Sequence, residues 1–125
     1  MRAVAKGFTL IELLVVMAIV AMLLSLAAPR YIGNVDRAKE ATLRQNLSSL
    51  RDVLDKHYAD NGTYPATLQE LVTRRYLRKI PVDPFTESSQ TWIVLPPPDP
   101  KLGAVYDVHS GAAGKASDGT LLREW

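Results

Sequence analysis

The chain starts with a long run almost free of polar positions and then settles into a helical rhythm. From Phe8 to Ala28 it reads FTLIELLVVMAIVAMLLSLAA, in which Glu12 is the sole charge. An α-helix needs about 20 such residues to cross the hydrocarbon of a bilayer, so a membrane helix is predicted over residues 8–28. Beyond Pro29, the stretch YIGNVDRAKEATLRQNLSSLRDVLDKHYADNG sets Leu43, Leu47, Leu50, Leu54 and then His57 or Tyr58 at spacings of three and four. That spacing marks one apolar stripe on a helix. Arg37, Lys39, Glu40, Arg44, Arg51, Asp52, Asp55 and Lys56 fill much of the remaining surface as a solvated back. Pro29 has no amide donor and its ring crowds the preceding turn, so a kink or local melting is expected there. Asn61-Gly62 is a stop signal, glycine being the usual left-handed residue past a helix end. A helix from Phe8 to about Asp60 would run roughly 75 to 80 Å at 1.5 Å per residue. Its first half must lie in lipid or among copies of itself, and only its second half has a globular part to pack on.

The remaining pattern is short and broken. Tyr64-Pro65 interrupts the chain, and Thr67-Leu68-Gln69-Glu70 has the form of a capping box, opening a helix over about Leu68 to Tyr76. Ile80-Pro81-Val82-Asp83-Pro84 reads as a fixed connector. Thr91 to Leu95 and Gly103 to Val108 read as short strands on either side of a Pro96-Pro97-Pro98 loop, and the final LLREW as a third. The fold class is therefore α+β, with a long N-terminal helix packed on a small antiparallel sheet. Tyr58, Tyr64, Tyr76, Trp92, Tyr106 and Trp125 are expected to supply several core side chains, because so small a sheet needs large ones to cover it.

Composition narrows the function classes. The chain has 125 residues, room for one small domain and an appended segment. It has no cysteine, which removes disulfides and thiolate metal sites. Lys and Arg number 15 against 13 Asp and Glu, and without Arg2 and Lys6, which precede the apolar run, the two signs balance. That balance gives no reason to expect a nucleic-acid partner. The same two cations leave the N-terminus cytoplasmic by the positive-inside rule and send the chain after Pro29 across the membrane.

Two readings of the apolar run stand at this point. In one it is a retained helix. In the other it is a secretory signal peptide, with Ser25-Leu26-Ala27 passing loosely for a cleavage site. The run exceeds the usual 7 to 15 residues of such an apolar region, and it carries a carboxylate that a signal peptide does not need. At the centre of a spanning helix an ionised side chain costs roughly 2.5 to 3.5 kcal/mol on insertion scales, so Glu12 calls for a use or a partner.

Lys6-Gly7-Phe8-Thr9-Leu10-Ile11-Glu12-Leu13-Leu14 resembles the leader and processing site of type IV pilins and of the pseudopilins of type II secretion systems. The order DNGTYP, short helix, IPVDPF and short sheet is similar to the globular part of the major pseudopilin and its relatives. The resemblance implies a leader of residues 1–7, a transmembrane and filament-core helix of residues 8–28, and a periplasmic pilin-like domain of residues 29–125. It implies cleavage by a prepilin peptidase after Gly7, N-methylation of Phe8, and pairing of Glu12 with the free amine of a neighbouring subunit's Phe8. A proline at the place of Pro29 also fits the family. The partners it implies are copies of the chain and other pseudopilins, lipid before assembly, and an inner-membrane platform with its ATPase. Type IV pilins serving adhesion, motility or DNA uptake share the motif, and a secreted ligand-binding module remains the alternative of another class. Type IV pilins often carry a C-terminal disulfide loop, which this chain lacks.

No catalytic constellation or cofactor site is expected. His57 and His109 stand alone, and there is no phosphate-binding glycine loop and no H-x-x-x-H pair. Major pseudopilins hold calcium in a loop near Ser110 to Thr120. Here that segment offers one carboxylate, Asp118, together with Lys115. Calcium takes six to eight oxygens, so no metal is expected, and a glycine-rich turn fixed by Asp118 and Ser117 is the reading preferred.

Overall fold

The computed structural model describes residues 6–125, so Arg2 and most of the expected leader lie outside the described residues. The elements are α1 (Leu10–Asn61), α2 (Leu68–Thr73), β1 (Ile93–Leu95) and β2 (Asp107–His109), with single 3-10 turns at Pro100–Leu102 and Leu122–Glu124. The α+β class is as expected. Packing divides the chain into two units, one ending at Val35 and the other spanning Asp36–Trp125.

In the first unit, α1 presents its apolar side chains outward, with Leu10, Ile11, Leu14, Met17, Leu23 and Leu26 all exposed. An 18-residue window of the helix has a mean hydropathy of 2.7 and no buried residue. It is long and apolar enough to cross a membrane. Pro29 lies within α1, and the residues on either side of it are helical.

In the second unit, the stripe read from spacing is the stripe that is buried, comprising Leu43, Leu47, Leu50, Leu54 and His57. Leu71 of α2, Trp92, Val105, Val108, Ala112, Ala116 and Leu122 complete the core. Asn61 ends α1, and Gly62 takes a φ of 72° while its amide bonds to the Tyr58 carbonyl at 2.7 Å. That is the left-handed cap its sequence predicts. Thr67 caps α2, its hydroxyl accepting from the Glu70 amide at 3.3 Å, while the Glu70 carboxylate reaches back to the Ala66 amide at 2.6 Å.

The sheet is smaller than its sequence suggests. β1 and β2 pair antiparallel in three positions, with Val94 opposite Val108. Thr91 and Trp92 leave the ladder because Trp92 is turned into the core and its indole N–H is held by the Pro81 carbonyl at 2.8 Å. LLREW is not a third strand. Only Leu121 makes an isolated bridge, to Lys115, before the chain coils into the 3-10 turn that buries Leu122. Of the six aromatics, Trp92 is in the core and Tyr76 and Trp125 pack against it as expected, whereas Tyr58 stacks on Tyr64 and Tyr64 meets Tyr106 edge-on, with ring centroids 4.7 and 5.2 Å apart. Tyr58 and Tyr106 stay exposed, so this cluster lies outside the core. Burial, with smaller contributions from Tyr106, Asp55 and Tyr58, pushes the Tyr64 hydroxyl above its ordinary value.

Candidate functional site

The residues singled out by the N-terminal motif lie together at the start of α1. Lys6, Gly7, Phe8 and Thr9 belong to no helix or strand, and all are exposed. A side chain built at Gly7 would touch nothing, and Phe8 is 85% exposed. Among the described residues, none covers the bond between them.

Glu12 is not a bare charge. Its carboxylate oxygen Oε2 accepts the Thr9 amide at 3.1 Å, and the Thr9 hydroxyl accepts the Glu12 amide at 3.2 Å. This reciprocal pair is a capping box, which satisfies two backbone donors that a helix start leaves orphaned. The acid also stands at the positive end of the helix dipole. Thr9-Leu10-Ile11-Glu12 carries the same signature as Thr67 to Glu70, but its apolar surroundings direct attention to the cost of the charge and away from its local role. The arrangement turns the carboxylate back along the chain toward Phe8, the residue that would carry a free amine after cleavage at Gly7. Thr9 thus holds Glu12 through two hydrogen bonds.

The two histidines have structural surroundings. His57 is buried, and its Nδ1 lies 2.7 Å from the Thr63 carbonyl, which only accepts, so Nδ1 carries a proton. Its Nε2 has no hydrogen-bond partner, the nearest carboxylate being Glu70 at 3.8 Å. His109 lies at the end of β2, its Nε2 3.8 Å from Asp107.

The calcium implied by the resemblance does not fit the residues at Ser110 to Thr120. Both Glu40 oxygens are taken, Oε1 by the Ser117 amide at 2.6 Å and Oε2 by the Ser117 hydroxyl at 2.8 Å. Asp118 Oδ1 accepts from the Thr120 amide and hydroxyl at 3.0 and 2.6 Å, and Oδ2 faces Arg44 at 3.7 Å. Among the described residues no three of Asp, Glu, His or Cys converge on one point. The sequence-based turn is right for Asp118 but not for Ser117, whose partner is a side chain of α1 rather than nearby backbone.

Other anchors escape a reading of local sequence. Arg51, assigned to the solvated back, bonds Asp107 at 2.9 Å, the Val108 carbonyl at 3.0 Å and the Trp125 carbonyl at 2.9 Å. Asp83 is fully buried and accepts from the Ser110 hydroxyl at 2.5 Å and the Phe85 amide at 2.9 Å. Their partners lie 27 or more residues away, except for the Phe85 amide.

Residues 2–28 match a family model described as the prokaryotic N-terminal methylation motif, and residues 30–120 match that of type II secretion system protein G. Among curated proteins, the chain is 34% identical to type II secretion system core protein G of Klebsiella michiganensis, covering 67% of this chain and 70% of the relative. Its identity to the protein of the same description from Pseudomonas aeruginosa is 31%, over 91% and 88% of the two chains. Against that from Aeromonas hydrophila it is 32%, over 96% and 92%. No solved structure gives a significant match. An exposed apolar helix with a carboxylate folded into its first turn, followed by a small α+β unit, carries these matches, and the chain belongs to the type II secretion system protein G family.

Proposed function

We propose that this chain is a structural subunit of a type II secretion pseudopilus. A prepilin peptidase cuts it after Gly7 and methylates Phe8, and the mature chain waits in the inner membrane through residues 8–28. Arg2 and Lys6 favour a cytoplasmic N-terminus and a periplasmic second unit. The subunits then stack into a helical filament whose core is the bundled N-terminal helices, with Pro29 kinking each helix as it leaves that core. The filament supports protein export as a piston or scaffold. Assembly with other pseudopilins, an inner-membrane platform and an ATPase rests on the family resemblance.

The observation that carries this reading is the Glu12 carboxylate, fixed in the first turn and turned toward the residue that cleavage would convert into an amine. In an apolar layer an ammonium and a carboxylate attract far more strongly than in water. Removing one partner of a buried pair costs roughly 3 to 5 kcal/mol because the other is stranded. Glu12 therefore fixes the register between subunits: the charge is tolerated in the filament core only where a neighbour's Phe8 amine meets it.

The test is direct. Mass spectrometry of the mature chain should find an N-methylated Phe8 as its first residue. Glu12→Ala should still be inserted and cut, yet fail to appear in filaments. A mature chain beginning at Ala28 removes the filament reading in favour of a secreted module, and normal filaments from Glu12→Ala refute the pairing.

A further inference from the structure

The geometry points to a closure of the Ser110 to Thr120 loop that is carried by α1 side chains and needs no divalent cation. Glu40 and Arg44 are one helical turn apart on α1 and flank buried Leu43. Glu40 grips Ser117 through its amide and its hydroxyl together. Arg44 lies between Asp118 at 3.7 Å and the Trp125 ring, its guanidinium carbon 4.3 Å from the ring centroid. Thr120 joins the two, since its hydroxyl donates to Asp118 and accepts the Trp125 indole N–H at 2.8 Å. Ala116 and Leu122, on either side of the loop tip, are sunk in the core. The loop is therefore tied to the helix at its middle and at its end.

The chemistry of the donor set excludes an exchangeable ion as the closing agent. Calcium binds oxygens at 2.3 to 2.6 Å and prefers several free carboxylates. Here three of the four carboxylate oxygens of Glu40 and Asp118 accept N–H or O–H donors, and the fourth faces a guanidinium. Two negative groups, Glu40 and Asp118, are set against two positive ones, Arg44 and Lys115, so the loop offers no net attraction for a dication. An ion would have to displace Ser117 and Thr120 first. Charge-assisted hydrogen bonds are the stronger kind, and Glu40 replaces with one side chain what a cation would do with several ligands. This inference concerns the loop alone and stands or falls separately from the pseudopilus reading.

Amide hydrogen exchange on the full-length chain in detergent micelles tests it, comparing millimolar calcium chloride with excess EGTA. The Ser117, Thr120 and Leu122 amides should exchange at the same rates in both. Glu40→Ala should speed the Ser117 amide about tenfold or more, the loss expected for a hydrogen bond to a charged group, while the Leu50 and Leu54 amides keep their protection. Ser117→Ala, which keeps the backbone bond, should give a smaller acceleration and serves if Glu40→Ala unfolds the unit. Loop protection that is lost in EGTA and restored by calcium overturns the inference. So does an unchanged Ser117 amide in Glu40→Ala, or an unchanged amide at position 117 in Ser117→Ala.

Discussion

Replacing Asp83 with alanine should remove a large part of the stability of the second unit. The carboxylate has no exposed surface, and it holds the Ser110 hydroxyl through one oxygen and the Phe85 amide through the other. Its own amide and carbonyl pair with Ser88 and Glu87 at 3.0 and 2.8 Å, so the turn at residues 83–88 folds around it. Each hydrogen bond to a charged group contributes roughly 1.5 to 3 kcal/mol, and both donors are left unpaired in the variant. Relief from burying the charge offsets part of this, which leaves a loss of about 3 to 5 kcal/mol by the same reasoning. A unit of this size is stable by only about 5 to 13 kcal/mol. Urea titration of the full-length chain in micelles measures the effect cleanly by tryptophan fluorescence, because Trp92 and Trp125 both belong to the second unit. With a urea slope of about 1 to 3 kcal/mol per molar, the midpoint should fall by roughly 2 M. Asp83→Ala combined with Ser110→Ala should lose less than the sum of the two single variants, since the orphaned hydroxyl is gone. A single-variant loss below about 1 kcal/mol would refute the assignment of Asp83 as a buried anchor.

Gly111 and Asp118 offer two further tests of the second unit. Gly111→Ala should cost at least about 1 to 3 kcal/mol in the same titration, because an added side-chain carbon would sit 2.0 Å from the Thr91 carbonyl oxygen; a neutral substitution there would mean the loop and β1 segment move apart freely. The Thr120 hydroxyl, followed by its amide and aided by Arg44, holds the Asp118 carboxyl below its ordinary value. Its contribution is therefore complete above the unfolded carboxylate value of about 3.9 and lost as pH falls through the lower folded one. Trp125 emission should change in that acid range only, and the change should vanish in Asp118→Asn. A transition centred near neutrality refutes it.

What could be read in the chain beforehand was whatever depends on neighbours a few residues away. The Leu43 to His57 stripe, the Gly62 cap and the Thr67 cap are set by helical spacing and by backbone donors close in sequence, and all three are present. The N-terminal motif was legible for the same reason. What was missed depends on distant partners. Glu40 meets a serine 77 positions away, and Arg51 meets the end of the chain, so both pass for solvated helix charges when only the helix is in view. The LLREW segment has the composition of a strand, but burial of Leu122 and the hold of Arg51 on Trp125 curl it instead. Thr9 and Glu12 are a different case. Their local signature is that of a capping box, and the apolar setting of the acid hides it.

The long separation between Glu40 and Ser117 bears on the order in which the molecule is made. The apolar stripe of α1 is synthesised early, but Val108, Ala112, Ala116 and Leu122, which help cover it, follow much later. Closing contacts of such high sequence separation is slow, and until it happens Leu43 and Leu47 lack part of their cover. A second unit lacking those residues would carry an open, adhesive seam along α1. The hold of Glu40 on Ser117 therefore seals the second unit late, once the residues up to Leu122 have folded back onto α1.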